Sequence, residues 1–134
     1  MKVLLDTHIL LWALADDERL PQKAREIILQ GENEIYYSTV SVWEVSIKHS
    51  LHPEQIPISG HALSGYCRKA GYQTLPLWDE HAWALETITR PPGAPRHNDP
   101  FDRMLIAQAK SEGMLFVTHD ALLPYYNETC IIAV

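Results

Sequence analysis

The chain has 134 residues, of which 46% are hydrophobic and 21% charged, so its length and composition fit a single globular domain over residues 1–134. No apolar run approaches the roughly 18 residues that a membrane span needs. The N-terminal segment 1–6 reaches an acid too soon for a signal peptide, so we expect a cytoplasmic protein without membrane association. The net charge of −6 argues against a broad, non-specific nucleic-acid binder, whose surface is usually basic. It is compatible with an enzyme that holds divalent cations in an acidic pocket and contacts nucleic acid through a few local cations.

The first predicted strand ends at an acid. Lys2–Leu5 is short and apolar without alternation, which is typical of a strand buried on both faces of a parallel sheet. Asp6 would then lie at the carboxyl end of this strand, where open α/β sheets bind their ligands. The alternative is that Asp6 only caps a helix predicted over 8–15. A second helix, opened by proline, is predicted over 21–30.

Glu44 interrupts the apolar face of a predicted helix. A strand over 35–38 is followed by a helix over 41–50, in which Glu44 shares its face with apolar residues at helical spacing. Ser41-x-x-Glu44 also has the form of a capping box, and both interpretations stay open. Lys48 lies one turn beyond Glu44, where it could pair with that acid or face RNA.

Three more elements are predicted in the middle of the chain. A helix over 61–71 is followed by a strand over 73–77. A further helix is predicted from Asp79, its expected cap, to Ile88, with Trp83 expected to pack in the interior.

A proline-rich loop over 89–97 precedes the most informative helix. Its three prolines and one glycine exclude regular structure, and it carries Arg90, Arg96 and His97. The arginines are candidates for phosphate contact, and the alternative is that the loop is a solvated connector.

The segment Asn98–Ala109 begins with a helix start. Asp99 can cap free backbone N–H groups, and the ring of Pro100 is already set for the first helical turn. Asp102 falls in that first turn, where the helix dipole favours negative charge. It also heads the apolar stripe of the helix, so we expect its carboxylate to point toward the edge of the core. The alternative is that both acids serve the helix alone.

Two strands are predicted after this helix. The run over 115–118 is entirely apolar, and Asp120 follows its carboxyl end. The run over 129–134 is rich in β-formers. Short buried strands that alternate with helices predict a three-layer α/β/α domain with a short central parallel sheet.

Four acids share one property: the carboxyl edge of such a sheet would gather them. They are Asp6, Glu44, Asp102 and Asp120. Carboxylates a few ångströms apart repel each other unless a cation intervenes, and hard oxygen ligands select Mg²⁺ or Mn²⁺. Such ions lower the pKa of a bound water and neutralise a phosphoryl group. The sequence has no Gly-rich phosphate loop and no Gly-x-Ser-x-Gly elbow that would indicate another chemistry.

These motifs together resemble the PIN-domain proteins of the VapC toxin class. The resemblance rests on Val3–His8, the glutamate at 44, Asp99–Ala109 and Phe116–Asp120, and it runs nearly end to end. The Asp-Pro-Phe-Asp-Arg run within it is the specific part. The resemblance implies a PIN fold and Mg²⁺- or Mn²⁺-dependent endoribonuclease activity. It also implies a small antitoxin encoded beside this chain and, usually, a homodimer.

The resemblance assigns roles by motif position. The family's acidic quartet corresponds to Asp6, Glu44, Asp102 and Asp120, and Thr7 and Thr118 are expected to support it. Either acid of the Asp-Pro-Phe-Asp run could reach metal; we favour Asp102, and keep Asp99 as a cap or more distant partner. RNA phosphates are expected to contact a few cations: Arg90, Arg96, Arg103 and Lys48. An antitoxin segment is expected to contact Trp12, Trp43 and Arg103, although core packing is the more ordinary fate of either tryptophan.

Two rival functions are considered. The first is a PIN-like module that binds RNA or a protein without cutting, and the intact acidic quartet argues against it. The second is a phospho-acceptor receiver domain, which needs an acidic pair after the first strand and a lysine after the last. Only Asp6 follows the first strand and no lysine follows Val117, so we reject the receiver.

Overall fold

The computed structural model describes all of residues 1–134 and contains one five-stranded parallel sheet. Its strands are β1 (Lys2–Leu5), β2 (Glu34–Ser38), β3 (Gln73–Leu75), β4 (Leu115–Thr118) and β5 (Ile131–Ala133). They lie in the order β3-β2-β1-β4-β5, and every neighbouring pair is parallel. The predicted parallel sheet is confirmed. β3 is shorter than predicted and ends before Pro76, which has no N–H to donate to a ladder.

Six helices cover the two faces of the sheet. They are α1 (Thr7–Leu14), α2 (Gln22–Leu29), α3 (Thr39–Leu51), α4 (Gly60–Lys69), α5 (Asp79–Leu85) and α6 (Pro100–Glu112). None of the six has the length and apolar character that a membrane crossing requires.

Alternate residues of β1 point into two separate cores. Leu4 packs with Phe116 of β4 and with the buried face of α6, whereas Val3 and Leu5 pack with α1, α2 and α4. A strand that is buried on both faces needs helices on both sides. The three-layer α/β/α prediction is therefore confirmed.

The start of α3 differs from the prediction. Ser38, the last residue of β2, caps the helix: its side chain accepts a hydrogen bond from the Val40 N–H at 2.9 Å. Because the strand runs directly into the helix, Ser41 lies inside the first turns rather than at the cap. The predicted capping box between Ser41 and Glu44 is wrong, and Glu44 is available for other partners.

Helix α5 also differs from the prediction. Its cap position is Trp78, and the His81 ring accepts a hydrogen bond from the Trp78 N–H at 3.0 Å, so Asp79 is not the cap. The helix is held against α6 by the fully buried His81, whose Nε2 contacts Glu112 at 2.8 Å. Trp83 is 63% exposed, so its predicted interior packing is wrong. An apolar residue at helical spacing does not reveal that this short helix buries only one narrow face.

The beginning of α6 follows the prediction. Asp99 accepts hydrogen bonds from the backbone N–H groups of Phe101 (2.9 Å) and Asp102 (3.2 Å), and Pro100 is the first helical residue. The predicted N-cap is confirmed.

The topology creates an opening at one edge of the sheet. The chain leaves β1 toward β2 on one side and later returns to β4 on the other side, so the strand order reverses between β1 and β4. Ligands of open α/β sheets bind at the carboxyl ends of the strands at such a reversal. Asp6 and Asp120 follow the ends of these two strands.

Candidate functional site

An open cleft of about 320 Å³ lies where β1 and β4 end. It is lined by Asp6, His8, Trp12, Glu44, Lys48, Asp99, Asp102, His119 and Asp120. The structure therefore brings together the four acids of the predicted quartet and the second-rank Asp99. Lys48 is the only lysine or arginine among the lining residues.

Asp6 is buried and firmly positioned. One carboxylate oxygen accepts a hydrogen bond from the Thr7 N–H (2.8 Å), and the other accepts from the Thr118 hydroxyl (2.6 Å). The acid caps α1 and lines the cleft, so the two interpretations of Asp6 are compatible. Burial raises the pKa of Asp6 to about 6, even though its two hydrogen bonds lower it, and the charge of Glu44 raises it further.

Glu44 is held through both of its oxygens. One accepts a hydrogen bond from the Thr7 hydroxyl at 2.8 Å, and the other pairs with Lys48 Nζ at 2.5 Å. Because a carboxylate can only accept, the Thr7 hydroxyl donates to Glu44 and accepts in turn from the Ser41 hydroxyl at 2.8 Å. Thr7 and Thr118 therefore fix the two most buried acids; their supporting role in a metal site stays a prediction.

Lys48 balances part of the negative charge. Burial alone would lower the pKa of Lys48, but its hydrogen bond and ion pair with Glu44 raise it, together with the charges of Asp99 and Asp102. The net effect is a raised pKa, so this lysine stays charged.

Asp102 lies in a close group of three side chains that could bind a metal ion. Ligand atoms of His97, Asp102 and Asp120 all lie within 4.8 Å of one another. Burial raises the pKa of Asp102 to about 8, and the charges of Asp6, Asp99, Glu44 and Asp120 add to the effect. This carboxyl is the one whose ionisation the protein opposes most strongly.

His97 belongs to this site, and the sequence interpretation missed it. Its Nε2 lies 3.1 Å from Asp102 Oδ2, and its Nδ1 lies 2.7 Å from the Tyr126 hydroxyl. Burial lowers the pKa of His97, which favours the neutral ring. The sequence offered one signal for His97, its position two residues before Asp99. The spacing of residues along a proline-rich loop does not predict the path of the loop, so this signal could not place the ring.

The remaining acids keep oxygens free. Asp99 uses one oxygen to cap α6, and Asp120 uses one oxygen to accept from the Leu122 N–H at 2.9 Å. The second oxygen of each has no hydrogen-bond partner in the protein. Five carboxylates face one lysine in the cleft, and their oxygens are the hard ligands that Mg²⁺ and Mn²⁺ prefer. The donor set therefore fits a divalent cation, which would relieve the repulsion that adds to burial in raising the pKa of Asp102.

The other predicted cations lie outside the cleft. Arg90 and Arg103 line a neighbouring cavity together with His97. Arg96 lines neither cavity; with the Asn98 amide oriented to satisfy its neighbours, the amide oxygen accepts from Arg96 Nε at 2.8 Å. Contact of these arginines with RNA stays a prediction.

The two tryptophans proposed for antitoxin contact have different surroundings. Trp12 is half-buried in the wall of the cleft. Trp43 is 54% exposed, and its ring meets Phe101 edge-on at 5.0 Å between centroids. Core packing, the more ordinary expectation for a tryptophan, is therefore wrong for Trp43.

The fold and the site define a parallel α/β protein with an acidic cleft at the reversal of its strand order. The sequence matches the family model of the PIN domain over residues 3–127, so the chain belongs to the PIN domain family. None of the curated proteins matches the chain at a significant level.

Solved structures with the same fold include VapBC and FitAcB structures. The chain aligns with VapBC2 from Rickettsia felis bound to a DNA fragment from their promoter, with a TM-score of 0.66, 14% identity and coverage of 100% of this chain and 98% of that chain. It aligns with DNA-bound VapBC from Salmonella typhimurium with a TM-score of 0.65, 19% identity and coverage of 99% and 98%. FitAcB from Neisseria gonorrhoeae aligns with a TM-score of 0.55, 17% identity and coverage of 90% and 88%. At these identities the likeness is one of fold.

Proposed function

We propose that this protein is a metal-dependent endoribonuclease and the toxin of a type II toxin–antitoxin pair. The observation that carries the proposal is the cleft itself, where five acids of a PIN-domain protein gather around one lysine. The structural likeness to VapBC chains over nearly the whole length supports the toxin class.

The metal-holding role is assigned to the quartet Asp6, Glu44, Asp102 and Asp120, with Asp99 in second rank. Mg²⁺ or Mn²⁺ bound there would supply a water of lowered pKa and would neutralise charge on the phosphodiester.

The neighbouring residues of the chain prepare this site. Thr118 and the Thr7 backbone hold Asp6, while the Thr7 hydroxyl and Lys48 hold Glu44. Because each carboxylate is fixed before a ligand arrives, little side-chain entropy is lost on binding.

RNA binding is assigned to few cations because the protein is acidic. Lys48 lines the cleft and is placed to meet a phosphate, while Arg90 and Arg103 surround the adjoining cavity. Arg96 completes the set. Phosphate contacts of this kind make affinity fall as the salt concentration rises.

The partner role is assigned to the rim of the cleft. An antitoxin segment would cover the acids by contacting the exposed ring of Trp43, the half-buried Trp12 and the cation Arg103. A homodimer is part of the same proposal.

The direct test is cleavage of end-labelled single-stranded RNA by the purified protein. We expect cleavage with Mg²⁺ or Mn²⁺ and none with a chelator. Asp120→Asn should reduce the rate by about 100-fold or more, because bound metal lowers the reaction barrier by several kcal/mol. Asp79→Asn, at an exposed position on α5, is the matched control and should leave the rate unchanged.

The toxin role is tested in bacterial cells. Expression of the wild type should arrest growth, Asp120→Asn should not, and co-expression of the protein encoded next to the gene should relieve the arrest. RNA that stays intact with either metal would contradict the nuclease proposal and favour a module that binds without cutting. Unimpaired growth despite active enzyme would contradict the toxin role alone.

A further inference from the structure

A second groove, of about 340 Å³, lies beside the acidic cleft and shares a wall with it. His8 and Trp12 line both cavities. We call the second cavity the side groove; Ile56 and Ile58 form its apolar wall, and Arg19 and Gln55 contribute polar groups. A ligand that occupies the cleft can therefore extend past Trp12 into the side groove.

The apolar wall is preformed. Ile56 and Ile58 lie in the connection between α3 and α4, and both pack against the core that contains α1. His49 Nδ1 lies 2.7 Å from the Ile56 carbonyl oxygen, which can only accept, so the ring donates this hydrogen bond. The Gln55 and Ile56 N–H groups both donate to the His52 carbonyl at 3.0 Å. The connection is thus held in place without a ligand.

Aromatic rings connect the side groove to the acids. The Trp12 ring centroid lies 5.8 Å from that of His8 and 5.8 Å from that of His119. His119 precedes Asp120, and its Nδ1 is fixed by a hydrogen bond to the Val134 oxygen at 2.6 Å. Trp12 and its two neighbouring histidines therefore form an aromatic part of the cleft lining.

The polar groups of the side groove suit the edge of a planar heterocycle. The Arg19 guanidinium lies 5.6 Å from the Trp12 ring centroid and donates two side-chain hydrogen bonds to Asp17. A guanidinium has five N–H groups, so three remain for acceptors of a ligand. The Gln55 amide adds both a donor and an acceptor.

We infer that the side groove binds one unpaired nucleobase of the RNA strand whose phosphate lies in the acidic cleft, with Trp12 as its stacking residue. This inference rests on the proposed nuclease function and names the substrate class, a single strand with an unstacked base. A neutral base, rather than a second phosphate, is favoured in the side groove because its only lysine or arginine, Arg19, is already paired with Asp17, which also lines the groove. Stacking on aromatic side chains is how proteins bind unpaired RNA bases without depending on phosphate charge.

The first test needs neither metal nor cleavage. The indole N–H signals of ¹⁵N-labelled protein are followed by NMR, in the presence of chelator, while adenosine, cytidine or uridine is added. The Trp12 signal is assigned by its disappearance in Trp12→Phe. We expect at least one nucleoside to shift the Trp12 signal saturably, while ribose shifts nothing and the signal of the exposed Trp83 stays in place.

The second test measures the affinity of a fluorescein-labelled ten-nucleotide single-stranded RNA for the Asp120→Asn protein, which should leave the RNA intact. Adding Trp12→Ala should weaken binding roughly ten- to a hundredfold, the range of one lost base stack. Trp12→Phe should retain most of the affinity, and Trp83→Ala is the matched control that should change nothing.

Each outcome decides the inference. A saturable Trp12 shift in a protein that cuts no RNA would keep the base site and contradict the proposed nuclease. RNA affinity within twofold of the parent for Trp12→Ala, in a protein that does cut RNA, would overturn the base site. Nucleosides that leave Trp12 unmoved, with Trp12→Ala weakening antitoxin binding alone, would overturn it in favour of a protein-binding groove.

Discussion

Asp102 combines burial with the strongest surrounding negative charge in the cleft. Its pKa is raised from 3.8 to about 8, chiefly by burial and then by four neighbouring acids. Between these two values the folded protein holds a proton that the unfolded chain has lost. By linkage, the metal-free protein therefore loses stability as the pH rises from about 4 to about 8.

The substitution Asp102→Asn should remove this pH-dependent loss of stability, because the asparagine side chain has nearly the same shape and carries no charge. At pH 8.5 without metal we expect the variant to have a free energy of unfolding about 1–4 kcal/mol higher than wild type, a discounted value because the pKa shift belongs to a coupled cluster. At pH 4.5 the difference should be small, because both side chains are then uncharged in the folded state. Urea denaturation of the wild type and the variant at pH 8.5 and at pH 4.5 measures the two differences in free energy of unfolding. A variant that is less stable than wild type at pH 8.5 would show that the cleft tolerates the charge.

The sequence predicts a site residue when a regular strand or helix carries it into the cleft, and not when an irregular loop does. Asp6 and Asp120 follow apolar strands, and Asp102 heads a helical stripe, so periodicity alone predicts their location. Their metal-binding role stays a prediction. His97 reaches Asp102 through an irregular loop, whose path depends on backbone angles that no periodicity encodes.

At the scale of the elements, the strands with entirely apolar runs were predicted best. β1 and β4 have the predicted bounds because strands buried on both faces have no other interpretation at this length. The start of α3 was missed because Ser38 is both the last residue of a strand and the cap of a helix. Local propensity cannot distinguish these roles, since both leave the residue in extended backbone geometry.

The contact between α3 and α4 depends on a glycine that the sequence interpretation did not single out. A Cβ at Gly60 would lie 1.9 Å from Ser46 Oγ and 3.0 Å from the Val42 carbonyl oxygen. Ser46 Oγ already donates to that carbonyl at 2.8 Å, so it cannot rotate away without losing the bond.

Gly60→Ala is accordingly expected to lower the free energy of unfolding by about 1–3 kcal/mol, the usual cost of forcing an extra methyl into a close contact. Gly65→Ala in the same helix is the matched control. A Cβ there meets no atom within 4 Å, so alanine should stabilise α4 by about 0.5–1 kcal/mol. Denaturant melts of both variants make the comparison. Equal effects of the two substitutions would mean that helix propensity, not the approach of the two helices, decides the outcome.

At the scale of the whole molecule, negative charge is concentrated where the function is proposed. The net charge of −6 and the five cleft acids predict a general response to salt and a specific response to divalent cations. Screening by NaCl acts on exposed charges, whereas buried acids are screened much less.

We therefore expect Mg²⁺ or Mn²⁺ to raise the thermal midpoint by several degrees more than NaCl at the same ionic strength. At 100 times the dissociation constant, binding to the folded state alone contributes about 2.7 kcal/mol. The Asp120→Asn protein should lose most of the additional rise in thermal midpoint that the divalent cations produce. The Asp79→Asn protein should keep it. Thermal melts of the wild type and the two variants with NaCl, with Mg²⁺ and with Mn²⁺ make the measurement. Identical shifts with NaCl and with the divalent cations would indicate screening without a site.

The hydrogen bond between Asp6 and Thr118 joins residues that are 112 positions apart in the chain, and β4 lies beside β1 in the middle of the sheet. During synthesis, the first strand acquires this neighbour only after the segment up to Thr118 has left the ribosome. Contacts of such separation form late in folding. The acids from Asp6 to Asp120 can assemble only once the segment that carries Asp120 is free to fold, so a chain that is cut short before it holds no complete cleft.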